Sequence, residues 1–118
     1  MSQISLSVMD DLVSKLLSER IPVLAFLSTS SGIRVRMPGF VDSKTNSDGI
    51  IVSVSGPPID VERGFLNVPP IREECDFWYG EQRELPKSLR YFGDLFGESG
   101  LVIRFLDSKD TFALFFTL

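Results

Sequence analysis

The sequence contains no histidine. That absence excludes the commonest general base near neutral pH. It also excludes Ser-His and Cys-His nucleophile pairs and the usual zinc ligand sets. There is one cysteine, Cys75, so an internal disulfide is ruled out and a reducing, cytoplasmic setting is expected. Aromatic side chains with a polar handle are scarce. One Trp and two Tyr stand against ten Phe, a bias toward packing surface. No apolar run approaches the ~20 residues that a membrane span needs. The opening "MSQISLSVMDD" lacks the basic start and apolar run of a signal peptide. Phosphate-loop and dinucleotide fingerprints are missing too.

What remains is ordinary globular material. The chain has 118 residues, of which 43% are hydrophobic and 24% charged, which suits one domain over 1–118. The net charge of −4 disfavours attraction to phosphate backbones, so neither a nucleic-acid nor a membrane partner is expected.

Periodicity places the elements. Val8, Met9, Leu12, Val13, Leu16 and Leu17 recur at helical spacing and predict a helix over 7–20. Ser7 with Asp10 resembles a capping box, and Pro22 stops the helix. "VLAFLST" reads as a buried strand, and "GIRVRMPGFVDS" alternates cleanly up to Pro38-Gly39. "DSKTNSDG" is rich in turn residues, and "IIVSVS" returns as a third strand. Residues 56–71 carry two Pro-Pro-Ile triplets and predict an ordered excursion outside the sheet. "REECDFWYG" reads as a strand. Leu85, Leu89, Phe92 and Phe96 predict a second short helix near 86–96. "LVIRFLDSKDTFALFFTL" reads as a hairpin whose last strand is apolar on both faces and needs cover on both.

The expected class is α+β: an N-terminal helix packed on a mainly antiparallel sheet of about six strands. The order helix, "VLAFLSTSSGIRVRMPGFVDS", then "GIIVSVS" resembles the opening of Sm-like and other SH3-like small barrels, over less than half the chain. The resemblance implies a sheet curled into a small barrel, with the bend at Pro38-Gly39.

The most chemically crowded stretch is "EECDFW". Strand alternation puts Glu74, Asp76 and Trp78 on one face and Glu73, Cys75, Phe77 and Tyr79 on the other. The neighbouring carboxylates Glu74 and Asp76 suit a hard cation or acid-base work only with further ligands or a pocket, so a solvated face is the expectation. Cys75 is expected to be a small core residue. Trp78 and Tyr79 are the best anchors for a binding surface, with Arg72 beside them. Arg34 and Arg36 share a strand face, where they can grip an anion or pair with acids across the sheet.

These residues favour a non-catalytic domain that binds protein, through self-association as a homodimer or through another partner, with no cofactor and no metal. A long apolar edge strand at the C-terminal end would be protected by pairing across a two-fold axis. Two alternatives stand beside it. One is a small-molecule site with an apolar pocket near Trp78. The other is a histidine-free, metal-dependent enzyme using Glu74 and Asp76.

Overall fold

The computed structural model describes residues 2–59, 62–84 and 97–118. It is α+β, with one helix and an antiparallel sheet of eight strands among the described residues. The elements are β1 (Ser2–Gln3), α1 (Leu6–Ser18), β2 (Val23–Ser28), β3 (Arg34–Ser47), β4 (Gly49–Ile59), β5 (Glu62–Asn67), β6 (Asp76–Glu81), β7 (Ser99–Arg104) and β8 (Thr111–Phe116). A 3-10 turn, Gln82–Glu84, follows β6. The expected second helix near 86–96 lies outside the described residues.

Helix α1 begins and ends for local reasons. Its cap is Ser5, not Ser7: the Ser5 hydroxyl accepts the Val8 N–H at 3.2 Å. The helix therefore starts one residue before the expected 7, and Ser7 lies inside its first turn. It also ends earlier, without help from Pro22. Arg20 takes a left-handed φ of 48°. The Ile21 N–H then reaches the Leu16 carbonyl at 3.1 Å, and the Arg20 N–H reaches the Leu17 carbonyl at 3.3 Å. This is a Schellman closure, which satisfies two carbonyls the helix would otherwise leave open. The Arg20 guanidinium lies 5.0 Å from the centre of the Phe40 ring. Met9, Val13 and Leu16 form the buried stripe, whereas Val8 is 45% exposed. On its other flank, Asp10 accepts a charged hydrogen bond of 2.5 Å from Lys44 of β3.

The strand order is β1-β6-β7-β8-β2-β3-β4-β5. The organising element is β3. Its first part, Arg34 to Gly39, pairs with β2, and its second part, from Phe40 onward, pairs with β4. Gly39 sits at the changeover. Its backbone meets the Ser55–Gly56 backbone so closely that a β-carbon would collide with the Ser55 carbonyl. A bulge between Val41 and Ser43 bends the strand further.

Four expectations are corrected. The sheet has eight strands rather than about six, and it is not closed into a barrel. Its edge strands β1 and β5 stand at opposite ends of the order and do not pair. "DSKTNSDG" is mostly strand: β3 runs to Ser47, and the reversal is confined to Ser47–Gly49, where Gly49 takes a φ of 93°. The 56–71 excursion is largely sheet, since β4 continues to Ile59 and β5 returns beside it. The prolines mislead because they lie beyond Ser55, where β4 has lost its β3 neighbour. A residue there gives up no ladder donor on that side.

One core draws on α1 and on both parts of the sheet. Met9, Val13 and Leu16 pack with Val23, Phe77, Leu101, Ile103, Phe112, Leu114 and Phe116, and with Val41, Ile50, Val52, Val54 and Ile71. The opposite face of β2, β7 and β8 carries a second cluster of Leu24, Phe26, Val102, Ala113 and Phe115. β8 is buried on both faces, as its sequence requires. It is an interior strand between β7 and β2, however, so the bare C-terminal edge expected from the sequence does not arise.

Candidate functional site

The face of the sheet turned away from α1 forms a grid that the pairing registers define. Residues directly opposite in an antiparallel pair share a face. One row of this grid runs Arg36, Phe26, Ala113, Val102, Trp78 across β3, β2, β8, β7 and β6. Phe26, Val102 and Ala113 are buried, and Trp78 packs half-buried against them. The next row, two residues along each strand, runs Arg34, Ser28, Thr111, Arg104, Asp76. Its members are exposed or half-buried.

This polar row lies at the end of the sheet where two loops meet. The loop after β2 is closed by the Thr29 N–H donating to the Ile33 carbonyl at 2.8 Å. The loop after β7 is closed by the Phe105 N–H donating to Asp110 at 2.9 Å, with Lys109 at a left-handed φ of 64°. The Asp110 carboxylate accepts the Ser30 N–H at 2.9 Å, tying the loops together. Ile33 and Leu106 expose apolar surface on these same loops.

The expected site residues separate. Trp78 faces the second cluster, while Tyr79 faces the main core, where its ring stacks on Phe116 at 6.2 Å. The two rings therefore lie on opposite faces, as strand alternation requires. Arg72 sits across the β3–β4 turn and donates to the Asp48 carboxylate at 3.0 Å. Arg34 and Arg36 do share the outer face, but the positions opposite them are Ser28 and Phe26, not acids. Glu74 belongs to the turn before β6 rather than to the strand, so of the three residues expected on the outer face only Asp76 and Trp78 lie on the strand, while Phe77 and Tyr79 face the main core as expected. Among the described residues, no three acidic or thiol groups gather as a metal-binding set.

Cys75 is buried in the main core, and its N–H donates to the Arg72 carbonyl at 3.1 Å. Burial pushes its thiol above the ordinary value of 9.0, and the charges of Glu74, Asp107 and Asp76 push the same way, against the lowering effect of a separate hydrogen bond between the thiol and the Arg72 backbone.

Sequence reasoning missed Ser28, Thr111 and Arg104. Each is a lone polar residue at the end of an apolar strand, next to a hairpin loop. That position is the only signal the sequence offers, because cross-strand register places them together. Comparison with protein-family models, with curated proteins and with solved structures finds no match to this chain.

Proposed function

We propose that the chain is a cytoplasmic, non-catalytic domain that works by binding protein, and that its primary contact is with a second copy of itself along the outer edge of β5. The observation that supports this reading is the open edge. Among the described residues β5 pairs with β4 alone. The Val68 N–H donates inward to the Val52 carbonyl at 3.1 Å, so alternation turns the backbone groups of Asn67 outward. Leu66 and Val68 are buried while Asn67 is exposed, which leaves an anchored strand with free donors and acceptors. An added antiparallel strand satisfies such groups, and two copies related by a two-fold axis do so reciprocally.

Sedimentation velocity across a micromolar concentration series tests it. The expected result is a concentration-dependent dimer that Asn67→Pro weakens by about tenfold, since proline removes an outward donor and leaves the inward ladder intact. Unchanged circular dichroism in the variant establishes that the fold persists. A monomer at every concentration would remove the self-association reading.

A further inference from the structure

We infer that the row Arg34–Ser28–Thr111–Arg104 binds a compact tetrahedral oxyanion, either phosphate or a phosphate monoester. The four residues lie on four adjacent strands in direct register. At ~4.8 Å per strand, the two arginine backbones stand about 14 Å apart with the two hydroxyls between them. Arginine stems are long enough to lean inward from both ends and meet above the hydroxyls. A guanidinium presents a planar fork that matches phosphoryl oxygens, and hydroxyls add neutral donors beneath. Among the described residues, neither Arg34 nor Arg104 is engaged in an ion pair, and neither hydroxyl has a hydrogen-bond partner. The usual reason for arginine on a strand, an acid directly across, is absent at Arg34; Arg104 has Asp76 directly across from it, but among the described residues the two form no ion pair.

The surroundings limit the ligand's size. Asp76 continues the row beyond Arg104, and its charge repels an extended polyanion there. The neighbouring row is apolar and buried at Phe26 and Ala113. The Asp110 carboxylate at this end of the sheet is directed at the Ser30 N–H, which partly offsets its charge. A small dianion suits this setting better than a nucleic-acid strand, a long polyanion that the chain's net charge of −4 disfavours more strongly. The inference is independent of self-association, since β4 stands between β5 and the row's last strand, and Arg34 lies in the part of β3 that pairs with β2.

The test is an NMR titration of the full chain with inorganic phosphate and, separately, phenyl phosphate, at ionic strength held constant with chloride. Saturable shifts are expected at the amides of Ser28, Arg34, Arg104 and Thr111 and at the two arginine side chains. Arg34→Gln and Arg104→Gln each should weaken binding by about tenfold while the core resonances stay in place. Tighter binding of phenyl phosphate identifies a monoester as the source, and equal or weaker binding identifies the free ion. Shifts that never saturate, an equal response to chloride, wild-type affinity in both variants, or tighter binding of an oligo-glutamate peptide at the same amides would overturn the inference.

Discussion

The carbonyl oxygen of Ser55 occupies the space that a β-carbon on Gly39 would need. Both sides of this approach are backbone, so neither can swing aside. Gly39→Ala must therefore push β3 away from β4 where β3 passes from one partner to the other. The expected loss of stability is about 3 kcal/mol or more. Urea unfolding followed by circular dichroism measures it. A loss below about 1 kcal/mol would mean the two strands have slack that this geometry does not contain.

Lys109 is a second test of backbone geometry, with the opposite sign. Its left-handed φ of 64° is costly for a residue with a β-carbon, and its side chain is exposed. Lys109→Gly should raise stability by up to about 1 kcal/mol, less what glycine loses in the unfolded chain. Lys109→Ala keeps the β-carbon and should give no gain. Thermal melts of the two variants side by side separate them, and equal melting temperatures would reject the strain account.

Cys75 gives a prediction in pH. Its thiol titrates higher in the folded chain than in the unfolded one, because burial disfavours the thiolate. The folded state thus holds this proton more tightly. The stability associated with it is complete below the unfolded thiol's value and declines as pH rises through and above that value. Labelling by a thiol reagent at pH 8 should follow unfolding, and should stay slow in native buffer. Rapid stoichiometric labelling of native protein would place the thiol outside the core.

Much of the architecture is legible in the residues. The α1 stripe, the alternation in β3 and β6, the hairpin of β7 and β8, and the two-sided burial of β8 all follow from local periodicity. What escapes is whatever depends on distant partners. Pro57 and Pro58 argue against a strand until Ser55 is seen to end the β3 ladder. Ser7 and Ser5 are both eligible caps by residue type, and the structure uses Ser5, whose hydroxyl accepts the Val8 N–H. Closure into a barrel is a property of the two edges, and no short stretch encodes it. The same holds for the polar row. Arg34 is visible as an exposed arginine, but Arg104 becomes its companion only through two strands between them.

The way β2 is held has a kinetic consequence. Its two neighbours are β3, which follows almost at once, and β8, whose Phe115 faces Leu24 across some ninety positions of chain. β1 likewise waits for Trp78 and Tyr79. A polypeptide emerging from the ribosome can build the β2–β3–β4–β5 meander early, but it leaves Leu24 and Phe26 without their β8 neighbours, Phe115 and Ala113, until residues 111–116 arrive. The long loop closure that docks β8 is then the step expected to limit folding, and the interval before it is when the unpaired face of β2 is open to aggregation.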